Sequence, residues 1–287
     1  MPPRYWLAGS LKMKIGLALG GGASRGIAHI AMLEAFDELG LKPAIIAGCS
    51  IGALIGAGYA GGMSGSDIRE HALSLLSRRS AMLRYVFGAR RTRPFEMVAL
   101  RGLKSVHLHG HKVAEVMMPA HLPKLIEDCI IPLKIITTDY ERMEEVVLSS
   151  GSLAHAVGAS IAIPGLISAP RINGRLHVDG AVINPVPFDH VTEGNDLVVA
   201  IDVIGRPRKI LGDNPSNLEI AVGSSLIMFR QLAELRRKRN PPGIYILPDV
   251  DEFWASDFFK AKEILAAAEP AKERLKWALA ERINASI

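Results

Sequence analysis

The stretch Gly48-Cys49-Ser50-Ile51-Gly52 sets a serine between two glycines, directly after the β-branched pair Ile45-Ile46. A strand that turns sharply into a helix exposes the side chain at its bend, and glycines on either side let the backbone reverse there. A hydroxyl held that way is a candidate nucleophile for acyl transfer, and it needs a base to take its proton. Glycine-rich sequence of this kind also suits a closely packed interior helix with no chemistry in it.

Upstream, Gly20-Gly21-Gly22-Ala23-Ser24-Arg25-Gly26 leaves an apolar strand at Lys14–Leu19 and enters a helix. As a dinucleotide-binding loop it fails at the third glycine, where Arg25 stands, and no acid closes the next strand to hold a ribose. It remains either a tight turn or a row of backbone N–H groups aimed at an anion. In the second case they would stabilise the oxyanion formed when Ser50 attacks a carbonyl.

The nine histidines fall at residues 29, 71, 107, 109, 111, 121, 155, 177 and 190. None follows residue 190, so the late histidine of an ordinary α/β-hydrolase order of Ser, acid and His is absent. Far downstream of the serine stands Arg175-Leu-His-Val-Asp179-Gly180, with an aspartate at the end of a short apolar strand. Asp-Gly is a common turn, but an aspartate held against a hydroxyl in a dry site can also accept its proton. His107, His109 and His111 alternate as strand ligands would, yet no carboxylates accompany them, and a loop entering a helix is the more natural reading.

Together, LGGGASRG (19–26), GCSIG (48–52) and DGA (179–181), with TTDY (137–140), GASIAIPGL (158–166) and VDGAVINPVP (178–187), resemble the patatin-like phospholipases. The bacterial members related to neuropathy target esterase are the most similar. The resemblance covers about residues 14–250. It implies a three-layer α/β/α sandwich around a mostly parallel sheet, and a Ser–Asp dyad with no histidine, metal or cofactor. It further implies hydrolysis of lipid acyl esters of the phospholipase A or lysophospholipase type through an acyl-serine intermediate. Carried onto this chain, Ser50 is the nucleophile, with Gly48 and Gly52 forming its elbow. Asp179 is the base, with Gly180 and Ala181 as its loop, and Gly21, Gly22, Ala23, Ser24, Arg25 and Gly26 make the oxyanion hole. Some members have glycine where this chain has Ala23. The rival readings are an acyltransferase using the same elbow and a catalytically idle lipid-binding protein.

Stepwise alternation of strands and helices supports the α/β class independently. Strands are expected near 14–19, 43–49, 133–138, 145–149, 175–178, 197–203 and 244–247, and helices near 27–39, after the elbow, and at 111–118, 153–160, 216–239 and 257–284. At 287 residues and 49% hydrophobic, the chain predicts one domain over 1–287 with a helical portion from about 251. Neither an export signal nor a membrane span is visible, and two unpatterned cysteines fit a reducing compartment, so a cytoplasmic protein is expected. The net charge of +5 is concentrated between Arg78 and Lys104, where eight basic residues face one acid, Glu96, among Met82, Leu83, Tyr85, Val86 and Phe87. That mixture predicts a solvated flap or a peripheral contact with anionic membrane at its inner face, and no nucleic-acid motif accompanies it.

Overall fold

The structure, a computed structural model, describes residues 13–77, 108–164, 167–206 and 217–286. The basic segment 78–104 and His107 lie outside them.

The described elements run in chain order as β1 (Ile15–Leu19), α1 (Ala28–Glu38), β2 (Ile45–Cys49), α2 (Ile51–Ala60) and α3 (Gly65–Ser77). After these come β3 (Leu108–His109), α4 (Gly110–Met117), β4 (Leu133–Asp139), β5 (Glu144–Leu148) and α5 (Leu153–Ser160). The remainder comprises β6 (Ile167–Ser168), β7 (Arg171–Ile172), β8 (Arg175–Asp179), β9 (Leu197–Ile201), α6 (Asn217–Arg239), β10 (Ile244–Ile246) and α7 (Ala261–Asn284). Strands and helices predicted from the sequence coincide with β1, β2, β4, β5, β8, β9, β10 and with α1, α2, α4, α5, α6 and α7.

The main sheet has the order β10-β9-β1-β2-β4-β8-β7, with β5 also on β4. Four pairings are parallel and three antiparallel, so the parallel half carries an antiparallel extension. Period-two alternation sends each strand's residues to opposite faces. Leu17, Leu19, Val199, Ile201, Ile244 and Ile246 enter one core, under α1, α2 and α7. Ala18, Ala47, Val198 and Ala200 enter the other, under α6 and the turn at Phe188–Val191. The result is the expected three-layer α/β/α sandwich.

The strand that organises the site is β4. Its edge toward β2 is shared by two strands: β2 pairs with residues 133–136, and β8 pairs with residues 137–139 from the opposite direction. The other edge is taken by β5 over residues 135–139. Cys49 lies opposite Ile136 and Asp179 opposite Thr137, so two strands end head to head at neighbouring positions. What each chain does on leaving its strand then decides the chemistry.

Gly52 sits where a Cβ would run into the Leu19 carbonyl, whereas Gly223, on α6, has open space around that position. Gly52→Ala should cost about 3 kcal/mol or more, since backbone must shift. Gly223→Ala should gain about 0.5–1 kcal/mol from helix propensity. Urea unfolding of the two variants, compared at equal slope, checks both signs.

Candidate active site

β2 ends at Cys49 and α2 begins at Ile51, leaving Ser50 alone at the bend with φ 53° and ψ −122°. A non-glycine residue at positive φ is strained and persists only where its surroundings fix it. Here the Ser50 N–H donates to Ser160 Oγ at 2.8 Å, and that hydroxyl donates to the Ile136 carbonyl at 2.7 Å. α5 thus anchors the bend to β4. Ser160 was not singled out by sequence reasoning, because a serine in a helix of small residues carries no distinguishing pattern.

From this bend Ser50 Oγ donates to Asp179 Oδ2 at 2.6 Å. The second carboxylate oxygen accepts the Ala181 N–H at 2.9 Å, with Cys49 Sγ at 3.9 Å. Thr138 Oγ1 donates to the Asp179 carbonyl at 3.1 Å, and the Asp179 N–H donates to the Ala162 carbonyl at 3.1 Å. The carboxylate is therefore fixed from its side chain and its backbone. Ser50 and Asp179 are both buried. Burial pushes the Asp179 carboxyl up to about 6, against hydrogen bonds from Ser50, Ala181 and Cys49 that favour the ionised form. The Cys49 thiol is raised as well, by burial and by the Asp179 charge, so it stays protonated beside the serine.

The glycine loop lies against this pair. A Cβ on Gly21 would touch Ser50 Cβ and Ala181 Cβ at 3.3 Å each. Several of its N–H groups are already committed: Gly21 to the Pro185 carbonyl at 2.9 Å, Ser24 to Ala255 at 3.2 Å and Arg25 to Gly22 at 3.3 Å. The N–H groups of Gly22 and Ala23 have no partner among the described residues. Ala23 takes φ 52°, a conformation in which glycine is at ease and alanine is strained.

Side chains hold the loop from behind. Arg25 is buried and donates through Nη1 to the Phe253 carbonyl at 3.1 Å and through Nε to Val203 at 3.3 Å. Ser24 Oγ donates to the Trp254 carbonyl at 2.6 Å. His29, also buried, bonds the Gly20 carbonyl through Nε2 at 2.8 Å. Burial pushes its pKa down to about 4, so the ring is neutral and Nε2 carries the proton that the carbonyl accepts. The sequence offers no sign of this role, since His29 lies within an apolar helical repeat.

Neither His177 nor His190 reaches the pair: His177 Nδ1 bonds Thr137 Oγ1 at 3.0 Å and His190 Nε2 bonds Glu145 at 2.7 Å. His109, His111 and His155 form a ring cluster at the α4–α5 contact, with centroids 5.8 and 5.3 Å apart. Among the described residues, the grouping of metal-type side chains is Glu145, Asp189 and His190. Arg236 sits on both carboxylates of that group, which makes it an ion-pair network.

A model of the patatin-like phospholipase family matches residues 17–192, a span that carries the glycine loop, Ser50 and Asp179. The chain belongs to the patatin-like phospholipases. Among the family's members it is 32% identical over 205 residues to an uncharacterized NTE family protein of Mycobacterium tuberculosis, covering 71% of this chain and 53% of that one. It is 27% identical over 274 residues to lysophospholipase nte1 of Aspergillus fumigatus, covering 87% of this chain and 17% of the fungal protein. The chain thus spans about half the length of the mycobacterial relative and much less of the fungal one. Among solved structures, VipD of Legionella pneumophila aligns with TM-score 0.46 and 15% identity, over 92% of this chain and 67% of that one.

Because the Asp179 carboxyl titrates above its ordinary value, the folded state holds its proton more tightly than the unfolded chain does. Its contribution to stability is complete below about 3.8 and is lost as pH rises through about 6. Asp179→Asn, which cannot ionise, should therefore be more stable than the parent at pH 8 by about 1–3 kcal/mol, and the gap should close near pH 4. Paired urea titrations at the two pH values check this.

Proposed function

We propose that the protein is a serine hydrolase of lipid acyl esters, with Ser50 as nucleophile and Asp179 as its base. The observation that carries this reading is the 2.6 Å hydrogen bond from Ser50 Oγ to a buried carboxylate that no histidine touches among the described residues. Ser50 Oγ attacks the acyl carbonyl as its proton passes to Asp179, and the oxyanion settles against the N–H groups of Gly22 and Ala23. The intermediate collapses, the proton goes to the leaving alcohol, and an acyl-serine remains. Water then attacks the acyl carbon with Asp179 again taking the proton, and the acid leaves with Ser50 restored. A carboxyl poised near 6 is mostly ionised at neutral pH and still basic enough to accept a proton, which suits both steps.

The substrate class is supported by an apolar cavity of about 70 Å³ beside the elbow. Its wall includes Ile27 of the glycine-loop turn and Ile51, the residue after the nucleophile, and it continues between Leu54, Ile68, Met118 and Phe258. Its polar member, His71, has Nε2 engaged with the Met117 carbonyl at 2.8 Å. The acyl chain lies in this cavity. Met117, Met118 and Phe258, read from the sequence as core or pocket, line it, while Trp254 and Phe259 stand partly exposed outside it.

Ser50→Ala should abolish labelling by a fluorophosphonate and hydrolysis of a short aryl ester, while Asp179→Asn should lose at least about a thousandfold in kcat. Gln at His177 or His190 should change it little. Labelling of Ser50→Ala at the parent rate would sink the assignment. kcat/KM should rise with pH through an apparent pKa near 6 and then level, and a chelator should leave it unchanged. Leu54→Trp should cut turnover of long-chain esters about tenfold more than that of the butyrate ester, because it fills the cavity and spares the reacting atoms.

A further inference from the structure

α6 packs one side against the sheet through Leu226 and Phe229 and turns the other to solvent. On the outer side Ile220, Ile227, Met228 and Leu235 are 49%, 51%, 60% and 64% exposed. At 100° per residue these four fall with Lys238 and Arg239 in an arc of about a third of the helix circumference. Between Ile220 and Arg239 the one acid, Glu234, is half-buried and bonded to Arg237 at 3.1 Å. Lys238 and Arg239 pair with no acid among the described residues. The outer side is thus a contiguous strip of large apolar side chains ending in unneutralised cations.

The helix is placed to matter. Phe229, on its inner side, packs against the cluster of Cys49, Ile136 and Ala181, which lies beside Ser50 and Asp179. The exposed strip is therefore about one helix diameter, about 10–12 Å, from the reacting pair. At 23 residues it is about 34 Å long, yet among the described residues no helix is apolar enough to cross a membrane.

We infer that the outer side of α6 is a bilayer-docking surface, lying in the headgroup region of an anionic membrane with its apolar residues inserted and Lys238 and Arg239 on lipid phosphates. Apolar side chains with cations and no exposed acid match that surface in polarity and charge. A second copy of the chain fits less well, because the strip offers its own cations no carboxylate in trans. The inference rests on the lipid-hydrolase reading only for what docking serves, so binding is measured on the Ser50→Ala protein, where catalysis plays no part.

In that background, with Cys129→Ser to remove the half-buried thiol, Gln231→Cys carries an environment-sensitive dye at the middle of the exposed strip. On phosphatidylcholine–phosphatidylglycerol vesicles the dye should shift to the blue and be quenched by brominated lipid. The double variant Ile227→Glu, Met228→Glu should lower the vesicle-bound fraction about tenfold at low salt. It should leave the turnover of a soluble ester, measured with Ser50 intact, within about twofold of the parent. An unshifted dye, or equal vesicle binding by parent and double variant, overturns the proposal. So does a parent that elutes as a dimer which the double variant alone dissociates, since the strip would then be covered by a second copy.

Discussion

Everything at the candidate site depends on two strands sharing one edge of β4. β2 climbs parallel to it as far as Ile136, and β8 descends antiparallel as far as Thr137. Neither can extend without colliding with the other, so both chains must leave the sheet there. The one leaving β2 turns into α2 with a serine at the bend; the one leaving β8 turns at Asp179-Gly180. A Cβ on Gly180 would enter the Ile136 carbonyl, so the exit from β8 is as tight as the exit from β2. The hydroxyl and the carboxylate meet because the sheet has no other place to put them.

That geometry sets the electrostatics. A carboxylate at a strand junction inside a three-layer sandwich is out of water, and desolvation outweighs its three hydrogen-bond donors. The Ser50 hydroxyl therefore donates to a carboxylate whose basicity is raised above that of an ordinary aspartate. The neutral His29 and the buried Arg25 act at a distance from that pair. They donate to the carbonyls of Gly20, Val203 and Phe253, which fixes the backbone of the glycine loop beside Ser50. Strain at Ser50 is held by Ser160 and strain at Ala23 by these loop contacts, so both strained residues lie at the candidate site.

The two faces of the sheet serve different ends. On one, α1, α2, α3 and the residues after α4 enclose an apolar cavity that begins at the neighbour of Ser50. On the other, among the described residues, α6 and the turn at Phe188–Val191 close the layer, and the outer side of α6 remains apolar and cationic.

Much of this was legible in the amino-acid order. Long apolar runs with clear periods announced β1, β2, β4, β9, α1 and α7, and the glycines at 48 and 52 marked an elbow because few other residues tolerate such close backbone contact. Asp179 at the end of a short apolar strand raised a dyad with Ser50, which the family resemblance also implied, and the missing late histidine counted against its rival. α3 went unseen because only Gly65, Ile68 and Leu76 of its thirteen residues are buried, too few to impose a helical repeat. β6 and β7, of two residues each, have no period at all. What only the tertiary structure decided is everything that crosses elements. Ser160 steadies the elbow, His29 braces the glycine loop, and the cavity gathers residues from across the chain. Local sequence records what each segment prefers, whereas distances between segments come from strand register and layer packing, and those exist only once the chain has closed on itself.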